Sequence, residues 1–250
     1  MTDESSWLQK RKELLAAEKE LTQHKDCVNA MRRRLPMVKI DKEYIFTGVD
    51  GKRSLLDLFE NQTQLVVYHF MFDPAWDKGC EGCTGLIDAI GDLSMLAQRN
   101  TAFKVISRAP LPKLLDYKAK KGWDISWHSS FENDFNYDFH VTLDESKAPL
   151  MLNYRTIEEF TKEKGRPPGM KQGETHELST FFRIENEAYH FYSTYGRGCE
   201  NLTDSYDFLD VTAYGRQEDF EDSRQAGRRN PRMARPGYFA ESDFCGRTAV

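Results

Sequence analysis

The chain lacks any apolar run near the ~20 residues that a membrane-spanning helix requires, so no bilayer crossing is expected. Cysteine is sparse. There are five in 250 residues, an odd number, and only Cys80 and Cys83 stand close together, which argues against a secreted disulfide framework. The opening Met1-Thr-Asp-Glu-Ser-Ser6 lacks both the positive charge and the apolar core of an export leader. Together these absences lead us to expect a reducing, cytoplasmic setting. Basic charge is not in excess either: 35 Lys and Arg stand against 40 Asp and Glu, a net charge of −5. Nucleic acid is therefore not an expected partner, despite local clusters at Arg32-Arg33-Arg34 and Arg228-Arg229. What remains is a water-soluble chain of one domain with appendages, or of two domains.

Residues 7–35 contain neither Pro nor Gly, and Leu14, Ala17, Leu21, His24, Val28, Met31 and Leu35 follow a 3,4 alternation. That pattern predicts a helical arm over residues 1–35 with a narrow apolar seam, ended by Pro36 and packed on the body or on a second copy as a homodimer. Next come a short strand, a turn at Val49-Asp50-Gly51 and a helical turn. They lead to Leu65-Val-Val-Tyr-His-Phe-Met-Phe72, which is rich in β-branched and aromatic residues and reads as an interior strand. A turn through Asp73-Pro74-Ala75-Trp76 brings Gly79-Cys80-Glu81-Gly82-Cys83 to the start of a helical pattern. There Leu86, Ile87, Ile90, Leu93 and Leu96-Ala97 predict one long amphipathic helix.

Beyond it, Thr101–Ser107 reads as a second buried strand and Pro112–Lys121 as a second helix closed by Gly122. Residues 122–177 are aromatic and turn-rich and read as an insertion, with Lys162–Gln172 as loop. Order returns in an antiparallel hairpin, Leu178–Ile184 and Ala188–Tyr192, followed by a last helix through Leu202, Tyr206 and Leu209. The tail, 215–250, is Arg-rich and without period.

Two cysteines delivered by a strand to a helix start form a redox or a metal site. Three apart, they share one face of the first turn, where unpaired N–H groups and the helix dipole favour the thiolate. Two small core residues would be the plain alternative. Gly82 keeps the loop slim, and Trp76 precedes the pair.

The order β-α-β-α, insertion, β-β-α around a central mixed sheet, with this cysteine pair, resembles the α/β thioredoxin-like fold, here over residues 36–214. Five strings resemble one family in particular: Tyr68–Phe72, Trp76–Cys83, Val105–Ala109, Asp134–Phe139 and Tyr192–Gly198. It is a thioredoxin-like family of bacteria and fungi catalogued as a domain of unknown function, so the resemblance implies a fold and a thiol site but no reaction. Thioredoxin-like proteins place a cis-proline before the closing hairpin; here Gly173-Glu-Thr-His-Glu-Leu-Ser179 carries His176 at that place. This departure resembles the copper proteins of the Sco type. It implies Cys80, Cys83 and His176 as ligands of copper, with zinc also acceptable to two thiolates and an imidazole.

The leading expectation is therefore a copper-dependent oxidoreductase acting on a small aromatic molecule held by Trp76, Arg108, Tyr195 and Arg197. The alternative is metal-free chemistry, a thiol-disulfide oxidoreductase or thiol peroxidase with Cys80 attacking and Cys83 resolving. A copper carrier is the third. A peroxiredoxin Pro-x-x-x-Thr-x-x-Cys pattern is absent, since Pro74 lies one residue too near and position 77 is Asp.

Overall fold

The computed structural model describes residues 3–169 and 172–212. The expected tail and Cys245 lie outside them. The N-terminal arm is one helix, α1 (Glu4–Arg32), capped by the Asp3 carboxylate on the Ser6 N–H. A sheet then assembles from β1 (Val38–Lys39), β2 (Ile45–Gly48), β3 (Gly51–Ser54), β4 (Gln64–His69), β5 (Thr101–Ser107) and β6 (Trp127–Ser129). Between β4 and β5 lie α2 (Glu81–Asp88) and α3 (Ser94–Gln98), and between β5 and β6 lies α4 (Leu111–Lys121). Short elements follow: α5 (Phe135–Asp138), β7 (Thr142–Leu143), β8 (Met151–Leu152), β9 (Arg155–Thr156), α6 (Ile157–Lys164) and β10 (Gly173–Glu174). The hairpin of β11 (Glu177–Ile184) and β12 (Glu187–Tyr195), a 3-10 turn (Gly196–Leu202) and α7 (Asp204–Asp210) complete the described chain.

The main sheet has eight strands in the order β1-β12-β11-β4-β5-β6-β2-β3. β4 runs parallel to β5 and antiparallel to β11, with Tyr68 opposite Val105 on one side and Leu178 on the other. The two faces carry separate cores. One holds Phe46, Leu65, Val67, Ile106, Phe135, Phe139 and Phe181; the other holds Tyr68, Phe70, Phe72, Cys83, Ile87, Val105, Leu114 and Trp127. Period-two alternation along β4 and β5 sends successive side chains to opposite cores, which is why both strands read as continuous apolar runs.

Four expectations change. The long helix after the cysteines is two helices, because Gly91 interrupts it and Asp92 turns back to accept from the Ser94 N–H (2.9 Å) and hydroxyl (2.7 Å). Trp127–Ser129, expected inside the insertion, pairs in parallel with β5 and belongs to the main sheet. The loop expected at Lys162–Gln172 begins as the end of α6, whose start carries a capping box between Thr156 and Glu159. The seam of α1 does not pack on the body: none of the helix is buried, and Trp7, Leu14, Leu21 and Met31 stand more than half exposed. Its C-terminal end touches the sheet through Arg32, which lies over the Tyr192 ring at 4.7 Å.

Candidate active site

β4 ends at His69, and residues 70–80 cross the end of the sheet to the start of α2. Several groups stake this crossing. The Cys80 N–H donates to the Met71 carbonyl (3.0 Å), and the Ala75 N–H to Asp73 Oδ1 (2.7 Å). From α4, Lys113 Nζ donates to the carbonyls of Pro74 and Trp76, both at 2.7 Å. Gly79 is required by packing, since a Cβ there would stand 2.6 Å from the Phe70 ring. Thr84 fastens the first turn of α2: its hydroxyl donates to the Cys80 carbonyl (2.8 Å) and lies 2.9 Å from the Tyr117 hydroxyl on α4.

The two thiols are unequal. Cys80 is the N-cap of α2 and half-buried, whereas Cys83 is 2% exposed. The Cys83 thiol donates to Cys80, and the N–H groups of Cys83 and Gly82 converge on the same sulfur; against some opposition from burial, they bring the Cys80 thiol down to about 6. Cys83 is pushed the other way, by its donation to Cys80 and by burial. The Met71 N–H, at 3.5 Å from Cys83 Sγ, and the Tyr68 hydroxyl offset part of that rise. Neither cysteine is in a disulfide.

The residues expected to share this site do not gather on it. His176 sits before β11 with Nε2 3.3 Å from the Gly196 carbonyl, and burial lowers its pKa below the usual imidazole value. Among the described residues, no group of three or more His, Cys, Asp or Glu side chains is placed to hold a metal ion. The expected Cys80/Cys83/His176 ligand set for copper or zinc is thus not assembled. Arg108 is spent on structure: it pairs with Asp73 in the cysteine crossing and, through Nε at 2.7 Å, with the buried Glu174. Tyr195 donates to the Phe139 carbonyl (3.2 Å) and meets Tyr154 edge-on at 5.4 Å, while Arg197 pairs with Glu200 at 3.2 Å. Of the expected contacts for a substrate, Trp76 alone lies on the cysteine crossing, 37% exposed.

Other site residues gave no sequence signal as singles. Asp73 and Glu174 flank Arg108, and Thr142 Oγ1 donates to both Glu174 oxygens at 3.0 Å. On the opposite sheet face, a buried polar chain starts at Glu177. Ser179 donates to Glu177 Oε1 (2.8 Å) and lies 2.8 Å from His69 Nε2 and 3.0 Å from Ser193, which is 2.8 Å from His190 Nε2. Burial pushes the Glu177 carboxyl up to about 8 and holds His69 down to about 3.

The strand order, the parallel β4-β5 crossover carrying α2 and α3, and a dithiol at the head of α2 define a thioredoxin-like protein with a CxxC site. More narrowly, the chain belongs to the family described as "Bacterial protein of unknown function (DUF899)", which matches residues 1–233. Among solved structures it is similar to a cysteine-to-serine variant of PrxQ from Xylella fastidiosa, at 14% identity over 66% of this chain and 88% of that one, with a TM-score of 0.41. It is also similar to the peroxidoxin BcpB from Mycobacterium tuberculosis, at 13% identity over 64% and 84% of the two chains, with a TM-score of 0.42. No curated protein matches the chain.

Proposed function

We propose that the protein is a thiol-dependent oxidoreductase that cycles Cys80 and Cys83 between dithiol and disulfide without a metal. One observation carries this reading: the half-buried Cys80 at the head of α2, its thiol brought down to about 6, faces a buried Cys83 whose thiol is pushed up. Near neutral pH that asymmetry assigns the attack to Cys80 and the second step to Cys83.

In the first step the Cys80 thiolate attacks one sulfur of a substrate disulfide. A Cys80–substrate bond forms and the other substrate sulfur leaves as thiolate. Cys83, losing its proton to solvent, then attacks Cys80 Sγ; the Cys80–Cys83 disulfide forms and the second substrate thiolate departs. A hydroperoxide would enter the same cycle, with an alkoxide leaving first and water leaving when Cys83 closes on the Cys80 sulfenic acid. The pair returns to dithiol at the expense of an external thiol.

The test is labelling and turnover. Iodoacetamide should modify Cys80 with a midpoint near pH 6. Turnover of hydrogen peroxide with excess dithiothreitol should fall to the uncatalysed rate in Cys80→Ser. Cys83→Ser, treated with 5,5′-dithiobis(2-nitrobenzoate) in the absence of other thiol, should stall as a mixed disulfide, and His176→Ala should retain full activity. Turnover that survives Cys80→Ser, or that needs both His176 and added copper, would overturn the reading.

A further inference from the structure

Cys83 lies in the first turn of α2, but Cys80 comes before it. As the N-cap, with φ −57° and ψ 133°, Cys80 is placed by the chain that enters the helix, because an N-cap residue stands outside the helical dihedrals. The Met71 peptide refers both cysteines to one strand end: its carbonyl accepts from the Cys80 N–H (3.0 Å), and its N–H lies 3.5 Å from Cys83 Sγ. The chain around Cys80 is held from one face of α4. Lys113 and Tyr117 stand about one helical turn apart on it. Before Cys80, Lys113 Nζ takes the Pro74 and Trp76 carbonyls, both at 2.7 Å. After it, Thr84 gives its only hydroxyl hydrogen to the Cys80 carbonyl, so the Tyr117 phenol, 2.9 Å away, is the donor to Thr84. Edge-on contacts with Phe72 (5.5 Å) and Trp123 (5.8 Å) keep the Tyr117 ring in place.

We propose that Lys113 and Tyr117 are a positioning pair that clamps the chain on both sides of Cys80 and so aligns its sulfur with Cys83 for closure of the disulfide. This rests on the dithiol reading and names what holds the two thiols in register. In the closing step the Cys83 thiolate, its proton gone to solvent, attacks Cys80 Sγ; the Cys80–Cys83 bond forms as the bond from Cys80 to the substrate sulfur breaks, and that sulfur leaves as thiolate. Displacement at sulfur needs attacking, central and leaving atoms nearly in line. Closure within the chain therefore depends on the frame, whereas attack by Cys80 on a freely diffusing disulfide does not, since the reagent turns to suit the sulfur.

Stopped-flow reaction with 5,5′-dithiobis(2-nitrobenzoate), without other thiol and in a Cys27→Ser/Cys245→Ser background, separates the two steps. The first release of nitrothiobenzoate is attack by Cys80, and the second is closure by Cys83. A misplacement of about 1 Å costs on the order of 100-fold, so the partial loosening in Lys113→Met should slow the second release roughly tenfold, and Tyr117→Phe several-fold. The first release and its pH midpoint should stay as in the parent protein. Lys113→Arg, which keeps charged N–H donors, should recover most of the loss. Should Lys113→Met fail to fold, Tyr117→Phe, which removes a single oxygen, decides the matter. A second phase unchanged in Tyr117→Phe overturns the proposal, and so does an equal slowing of both phases, which would mark general loosening and no alignment. A first phase that persists in Cys80→Ser instead overturns the dithiol reading beneath it.

Discussion

Glu177 carries a stability consequence of its own. Its carboxyl is fully buried, Oε2 has no hydrogen-bond partner, and its pKa is raised from 4.5 to about 8. A raised folded-state pKa means that folding takes up a proton. The favourable contribution is complete below about pH 4.5 and is lost as pH rises toward 8, at about 1.4 kcal/mol for each pH unit between the two values. Urea unfolding at pH 5 and pH 9 should show the stability of Glu177→Gln relative to wild type rising by a few kcal/mol over that interval, since every other titrating group is common to both proteins. Equal losses in both proteins would show that another group carries the pH dependence. The sequence made Cys80 and Cys83 legible because strand, turn and CxxC occupy consecutive residues. Glu177 was not legible, since a carboxylate in a polar string gives no sign that the sheet will bury it. His176 was read as a ligand from its place in the chain, but place fixes the backbone and leaves the ring free to turn to the Gly196 carbonyl.

Among elements, the crossing before α2 and the short β10 before β11 are joined by one side chain. Arg108 leaves the end of β5, 19% exposed, and spans Asp73 and Glu174, whose side chain is 1% exposed. Had it been a substrate contact, removing it would alter binding and spare the fold. As an ion pair with a buried carboxylate, Arg108→Ala should destabilise by about 3–5 kcal/mol, because Glu174 is left charged and unpaired. Arg108→Ala with Glu174→Gln should recover much of the loss, a coupling that calorimetry on the four proteins would read. Gly79→Ala makes a second case: with its Cβ 2.6 Å from Phe70, it should shift the crossing and slow iodoacetamide labelling of Cys80 several-fold, while Gly85→Ala, with open space, should not. Elements with strong local signals were legible, among them α4 with its glycine stop and the β11-β12 hairpin. The α6 helix was missed although Thr156-Ile-Glu-Glu159 spells its capping box, because the Lys/Gly/Pro-rich residues after it dominated the reading.

At the scale of the molecule, α1 stands apart from the sheet it precedes. With no residue of the helix buried, removing residues 1–32 should move the thermal midpoint by no more than about 2 °C, because little apolar area is lost from the core. A larger fall would mean that the arm packs in solution. The same truncated chain in sedimentation velocity tests the expected homodimer, which should dissociate if the 3,4 seam is what pairs.

The sheet also has two margins, and both are poor templates. One is β1, two residues ending in Lys39; the other is β3, four residues carrying Lys52 and Arg53. Short, cationic borders offer few free backbone groups to an incoming strand and repel a copy of themselves. An eight-stranded platform of this width is thereby kept from growing by edge-to-edge addition, and the folded protein should stay dispersed at concentrations where a blunt apolar border would seed fibres.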